Sequence, residues 1–244
     1  NGNANMLFVD GGNNRVGIGT NTPDMLLDVT GVISAGAGTD EDLQQWNIGS
    51  DNVKAKMTYL DASANRGLAI GTSTQHDFFL RTNNNIGLKV DYAGAVTMPL
   101  QPAFLATVST TQTNIADGHV TIVADTEIFD QNADYNTSNY TFTAPVTGKY
   151  SFMVNITTSG MPTDYQWIYC YVGTSNRTCF VDLIDPRMHA TTGSMALGGS
   201  ILVDMDANDT ALLYIRSSTH GTNTMDVVSN AANPETYFSG YLVA

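Results

Sequence analysis

The run YTFTAPVTGKYSFMVNI, Tyr140 to Ile156, constrains this chain more than any other stretch. Tyr140 and Phe142 share one face of an extended segment. After the break at Pro145 and Gly148, Tyr150, Phe152, Val154 and Ile156 alternate again. Strand side chains change face at every residue, so the pattern predicts two amphipathic strands and a turn. Such strands are stable only when a second layer covers their apolar face. The rest of the chain agrees: charged residues are 14%, Asn, Thr, Gly, Ser and Asp abound, and helix-forming Leu/Glu/Lys/Ala blocks are nearly absent. Short strands with many turns, an all-β class, are expected.

With 244 residues, the chain has room for one large or two modest domains with real cores. It begins at Asn1 with no charged and apolar leader behind it, which reads as a piece of something longer or a trimmed product. No apolar run approaches the roughly 20 residues of a membrane helix, so no membrane insertion is expected. Net charge is −13. Residues 103 to 244 hold Lys149, Arg177, Arg187 and Arg216 against thirteen carboxylates. Nucleic-acid sites draw affinity from clustered Lys and Arg, and none cluster here, so a nucleic-acid partner is excluded. An anionic membrane surface is disfavoured likewise. Cys170 and Cys179 would face each other in a hairpin turning at Thr174–Ser175. Directly opposed strand pairs meet disulfide geometry poorly, and buried free thiols are the favoured reading.

Residues 1–98 differ from the remainder of the chain. NNRVGIGTNTPDMLLDVTGVI sets a short strand, a Thr-Pro turn and a second strand, echoed loosely by NRGLAIGTSTQ from Asn65 and NIGLKVDYAGAVTM from Asn85. Leu27-Asp28-Val29 matches Leu88-Lys89-Val90, and Gly31-Val32-Ile33 matches Gly94-Ala95-Val96. WNIGS, AKMTYLDAS and HDFFLRTN add further strands. Each strand offers two or three apolar residues, too few for a core of its own, so 1–98 reads as a β-rich trimeric shaft or neck. A small independent β domain is the alternative. MPLQPAF, Met98 to Phe104, makes a joint whose prolines halt pairing. Beyond it, strands are expected at 103–108, 119–129, 140–144, 149–158, 165–172, 178–184, 194–204, 210–217 and 236–243, building a two-sheet antiparallel sandwich over 102–244.

The spacing Asp130-x4-Tyr135-x6-Phe142-x5-Gly148-x-Tyr150-x-Phe152 resembles the signature of the complement component 1q globular head, a jelly roll related to tumour necrosis factor. PAFLATV (Pro102–Val108) and YFSGYLV (Tyr237–Val243) resemble its first and last strands, and Asn208-Asp209 stands at its usual Gly-Asp. Ala124 and Val154 depart, each standing where the pattern has an aromatic residue. No Gly-X-Y stalk precedes the domain. RVGIGTNTP…LLDVTG is similar to repeats of bacteriophage tail fibres and fibre-like bacterial adhesins. Together the two resemblances imply an extracellular homotrimer, a virion tail fibre or a bacterial surface protein.

Most catalytic readings fail on spacing. His76, His119, His189 and His220 lack metal-ligand spacing, and GGSIL at Gly198 lacks the final glycine of a nucleophile elbow. VISAGAGTDEDLQQW imitates a dinucleotide loop at Gly36 and Gly38, but Glu41 replaces the third glycine. In DMDANDT, Asp204, Asp206 and Asn208 alternate as in a calcium loop. However, Asp209 sits at the turn-glycine position and Ile215 at the bidentate glutamate. Two readings remain: a solvated hairpin turn, or calcium at Asp204, Asp206 and Asp209, as the resemblance implies for acidic loops near a trimer axis. Five Asn-x-Ser/Thr triplets, at Asn136, Asn139, Asn155, Asn176 and Asn208, matter only in a eukaryotic secretory pathway. The aromatics follow strand alternation and read as core.

The expected function is attachment without turnover. A homotrimeric fibre tip would bind a host-cell glycan or outer-membrane protein, gaining avidity from three weak sites. The loops at Ser159–Trp167, Asp185–Gly193 and Thr219–Tyr237 are the expected contact surfaces, with Trp167, Arg187, His189 and His220 as contact residues. A trimerisation cap without its own receptor, and a polysaccharide-degrading spike, are the alternatives.

Overall fold

The computed structural model describes residues 6–30, 41–48, 53–62, 65–162, 164–188, 193–218, 224–230 and 232–244. The chain divides into two compact units, one of Asn1–Leu80 with Lys89–Thr97, the other of Arg81–Leu88 with Met98–Ala244.

The first unit is made of small sheets. Strands β1 (Phe8–Asp10), β2 (Arg15–Ile18) and β3 (Leu27–Val29) form one. In it β2 and β3 run parallel, with Val16 opposite Leu27 and Ile18 opposite Val29. Parallel neighbours usually need a crossover of a dozen residues or more, whereas Gly19–Leu26 makes this return, pinned where the Arg15 guanidinium donates to the Pro23 carbonyl at 2.8 Å. Gly17 is required: a Cβ there would stand 2.3 Å from the Thr20 carbonyl oxygen. Strands β4 (Glu41–Ile48), β5 (Val53–Ala62) and β6 (Asn65–Thr72) form an antiparallel meander. The stretch after Gly36 and Gly38, both outside the described residues, is thus a strand where a dinucleotide loop would open a helix. Strands β7 (Phe78–Thr82), β8 (Asn85–Val90) and β9 (Val96–Thr97) come next, with Arg81–Leu88 of this stretch counted in the second unit, and β8 and β9 pair through Val90 and Val96. Of the echoed pairs, Leu27–Val29 and Leu88–Val90 are both strands; Gly31-Val32-Ile33 lies outside the described residues.

This unit holds little oil. Among the described side chains of this unit Pro23 alone is a buried apolar one, while Met25, Leu26 and Leu27 are 66%, 76% and 58% exposed.

The second unit is a two-sheet antiparallel sandwich. Its strands are β10 (Ala103–Thr107), β11 (Gln112–Ile115), β12 (Gly118–Thr121), β13 (Thr126–Asp130), β14 (Tyr135–Asn136), β15 (Thr141–Thr143), β16 (Gly148–Met161), β17 (Trp167–Thr174), β18 (Thr178–Ile184), β19 (Gly193–Met205), β20 (Thr210–Ser218), β21 (Met225–Val227) and β22 (Tyr237–Leu242). The first sheet centres on β16, with β19 along one edge and β22 and β21 along the other; β10 and β13 extend it beyond β22, and β11 pairs β21. The second sheet runs β14–β15–β20–β17–β18, with β12 also on β20.

The Tyr140–Ile156 run supplies one strand to each sheet, β15 and β16, so its Pro–Gly break is a crossover between layers. Tyr140 itself lies outside β15 in a left-handed conformation, φ 61°, which costs a bulky residue energy. Phe142 from the second sheet meets Tyr150 and Phe152 from the first, and Phe104, Tyr135 and Phe238 complete a ring cluster with centroids 4.8–6.5 Å apart. Each fully buried ring removes enough apolar area to contribute about 2–3 kcal/mol. The two phenols keep partners: Tyr135 donates to the Ala124 carbonyl at 2.9 Å and Tyr150 to that of Val146 at 2.7 Å. Gly240 leaves room for the cluster, since a Cβ there would stand 2.5 Å from the Phe152 ring.

The expected single strand 119–129 is two strands in different sheets. Val120, Ile122 and Ala124 all stay against the core through the crossover, so the apolar rhythm carries no mark where the sheet changes. The cysteines are also displaced from their expected opposition: Val172 faces Cys179 and Cys170 faces Asp182, and both thiols are free. Burial chiefly, with the Asp182 charge beside it, pushes Cys170 up to about 12, far from a reactive thiolate.

One buried carboxylate predicts a pH effect. Asp134 has an Oδ2 with no hydrogen-bond partner. Burial first, then the Asp130 charge, pushes it up to about 6 from 3.8. The folded chain therefore holds this proton more tightly than the unfolded chain. The contribution is complete below about pH 4 and is lost as pH rises through about 6. Asp134→Asn should remove that slope and raise stability at pH 7.5 by about 1 kcal/mol after solvent screening, read by urea unfolding at pH 4 and pH 7.5.

Candidate functional site

The second sheet turns alternate residues to opposite faces. On β17, Ile168, Cys170 and Val172 face the core; on β20, Ala211, Leu213 and Ile215 do. Trp167, Tyr169 and Tyr171, together with Tyr214 and Arg216, therefore occupy the outward face, joined by His119 and Thr121 from β12. In register, His119 stands opposite Arg216 and Arg216 opposite Tyr169, one row across three strands.

These side chains form a connected array. Trp167 and Tyr169 stack at 4.5 Å, and the Arg216 guanidinium lies over the Trp167 ring at 5.3 Å. Tyr171 stacks on Tyr214 at 5.0 Å, with Phe180 of β18 tilted against it at 5.6 Å. The Tyr171 hydroxyl and His119 Nδ1 are 2.5 Å apart. Burial raises the Tyr171 phenol above its ordinary value, so it stays protonated. A cleft of about 430 Å³ lined by Tyr169, Phe180, Val181, Asp182 and Leu183 borders the array.

Trp167 is the one expected contact residue found in this array. Arg187 sits on the 3-10 turn Pro186–Met188, where Nε and Nη2 donate to both carboxylate oxygens of Asp185 at 2.9 and 2.7 Å. Its charge is answered within its own turn. His189 and His220 lie outside the described residues, as do 163, 189–192, 219–223 and 231 of the three expected contact loops.

The three acidic residues are engaged in turn structure. Arg177 pairs Asp204 at 3.0 Å. Asp209 accepts from Ser175 Oγ, Asn176 Nδ2 and the Asp206 amide at 2.7, 2.5 and 2.8 Å, tying the β17–β18 turn to the β19–β20 turn. These bonds, led by the one from Ser175, hold the Asp209 carboxyl below the usual range. Among the described residues no group of three or more His, Cys, Asp or Glu side chains is placed to hold a metal ion.

Sequence reasoning missed Tyr169, Tyr214 and Phe180 because it assigned the aromatics to the core, and it gave His119 and Arg216 no role. The usable signal was WIYCYV, whose even positions alone satisfy a core, leaving the odd aromatics for the other face.

Residues 103–243 match the family model described as the C1q domain, more than half of the chain. The sandwich is accordingly a complement 1q/tumour necrosis factor-like jelly roll, as the sequence resemblance implied. Among solved structures, the globular domain of zebrafish complement 1qA protein is similar at 17% identity, covering 59% of this chain and 98% of that one, with a TM-score of 0.40. The crystal structure of murine APRIL at pH 8.0 is similar at 8% identity, covering 59% and 99%, with a TM-score of 0.42. No curated protein matches the chain. The family assignment rests on the family model.

Proposed function

We propose, from the premise that this chain belongs to the C1q domain family, that it is the receptor-binding tip of a homotrimeric fibre. Domains of this family form homotrimers, are typically extracellular and typically bind rather than catalyse. Among the described residues no helix is long and apolar enough to cross a membrane.

The observation that carries the reading is an uncovered apolar face on the first sheet of the head. The rows Phe129–Leu105–Ser239–Met153 and Ala103–Tyr241–Ser151–Leu202 lie in register across β13, β10, β22, β16 and β19. Phe129, Met153, Leu202 and Tyr241 are 39–56% exposed, a patch of the kind that marks protein–protein contact. A second apolar patch, Phe180 and Leu183, lies on strand β18 at the edge of the other sheet. Two different patches on one chain favour a head-to-tail ring over a two-fold dimer. The first unit supports the same reading, because strands with so little buried apolar surface gain a core by wrapping with copies.

In this reading residues 1–98 are the shaft end and 102–244 the head. The fibre belongs to a virion tail or a bacterial surface, and its partner is a host glycan or outer-membrane protein. The test is binding of the labelled chain to a panel of bacterial cells and to a glycan array. Saturable binding without released sugar supports attachment. Released reducing sugar would establish the degrading spike instead. Absence of binding, with fibre function restored by an unrelated trimeriser in place of the head, would establish a cap.

A further inference from the structure

The geometry points to the outward face of β12, β20 and β17 as a binding site for an acidic saccharide, with Arg216 taking the sugar carboxylate and Trp167 and Tyr169 lying against the ring. The biological use of this site rests on the attachment reading; the site itself does not.

Charge placement singles out Arg216. Of the four cations in residues 103–244, Arg177 and Arg187 are ion-paired with Asp204 and Asp185, and Lys149 is an exposed side chain on β16 with no aromatic neighbour among the described residues. Arg216 is half-buried and makes no ion pair among the described residues, although that stretch carries thirteen carboxylates. Its environment explains this. The outward positions of β12, β20 and β17 are His119, Thr121, Leu212, Tyr214, Arg216, Ser218, Trp167, Tyr169, Tyr171 and Gly173, none of them acidic. These three strands thus hold one guanidinium on an aromatic bed with no outward carboxylate of their own, while Asp182 of β18 lines the cleft that borders it.

Ligand chemistry is set by what surrounds the guanidinium. A polyanion such as nucleic acid needs several cations to neutralise successive phosphates, and one arginine between rings serves one carboxylate at a time. Guanidinium and carboxylate match as a two-bond fork. Trp167 and Tyr169 are half-buried and stacked on each other, with Phe180 edge-on to Tyr169 at 5.2 Å, and what stays exposed of the two rings is apolar surface for the C–H groups of a pyranose. His119, exposed and held through Nδ1 by the buried Tyr171 hydroxyl, and Ser218, opposite Trp167 in register, supply imidazole and hydroxyl groups for sugar hydroxyls. A saccharide carrying a ring carboxylate satisfies all three features.

The probe is trigalacturonate, titrated into the full chain carrying Trp46→Phe, so that Trp167, the other of the chain's two tryptophans, reports alone. Saturable quenching with a per-site Kd on the order of millimolar is expected, with binding at least about tenfold weaker for Arg216→Gln and for the fully methyl-esterified, uncharged trisaccharide. No quenching at tens of millimolar, or equal affinity for the ester, would overturn the site. Equal affinity of Arg216→Gln at unchanged Tm would do the same; if that variant loses Tm, the ester decides. Cell binding separates the two readings. A wild-type chain that binds cells, but no better than Arg216→Gln, overturns the use of this site in attachment and leaves attachment standing. A chain that takes trigalacturonate through Arg216 but binds no cells supports the site and removes attachment.

Discussion

Replacing Phe104 with alanine is expected to destabilise the head by about 3–5 kcal/mol, the range for emptying a buried aromatic site. The residue is fully buried and packs on four rings, Tyr135, Phe142, Phe238 and Phe152, at 4.8, 5.0, 5.0 and 6.4 Å. Those rings come from both sheets, so the vacated space cannot close by shifting one layer alone. Against a domain stability of about 5–15 kcal/mol, the loss is a large share of the total, and Tm should fall by about 10 °C or more. Val146→Ala is the control: that side chain is 46% exposed in the β15–β16 connection, and its loss should cost roughly 1 kcal/mol or less. Thermal unfolding followed by near-ultraviolet circular dichroism at one fixed protein concentration reads both. A Phe104→Ala shift no larger than that of Val146→Ala would mean that the ring cluster is not what holds the sheets together.

The second large effect concerns assembly. Leu202→Glu, alone or with Met153→Glu, is expected to convert the trimer to single chains whose head alone stays folded at micromolar concentration. Both positions are exposed in the single chain, so a carboxylate there is solvated and the head keeps its fold. In the proposed trimer the same face is covered by copies, and burying three unpaired carboxylates costs several kcal/mol for each. Sedimentation velocity reads the outcome directly, with circular dichroism confirming the fold. A Leu202→Glu variant that stays trimeric would place the subunit contact elsewhere.

Legibility from sequence varied with how the chain punctuates itself. The alternation of Tyr150, Phe152, Val154 and Ile156 gave β16 plainly, because one face of that strand is apolar and the other polar, as in Ser151 and Asn155. The crossover from β12 to β13 was hidden, since Ile122 and Ala124 continue the inward rhythm while the chain changes sheets. The short strands β11, β14 and β21 are two to four residues long, below what periodicity resolves. Trp167 was singled out as an expected contact residue, while Arg216, which lies over its ring, was not. Arg216 lies inside LLYIRSS, where a strand pattern offers no reason to prefer it to Arg187. The one local hint was Asp185, two residues before Arg187 and able to neutralise it. Which face of β17 looks outward depends on β20 and β18 packing beside it, and that is tertiary information.

The first unit was legible in composition rather than in detail. Its Gly-Ile-Gly stretch reads as a turn-rich strand. The need for Gly17 comes from the close return of Thr20, and the parallel β2–β3 pairing is not foreseeable from so few residues. The scarcity of apolar residues was visible, and the exposed Met25, Leu26 and Leu27 are its structural counterpart.

Sedimentation equilibrium of the wild-type chain at micromolar concentration addresses the central claim most directly. The account predicts one species at three times the 26.1 kDa chain mass, with no folded single subunit beside it. A compact, fully folded species of one chain mass would contradict it.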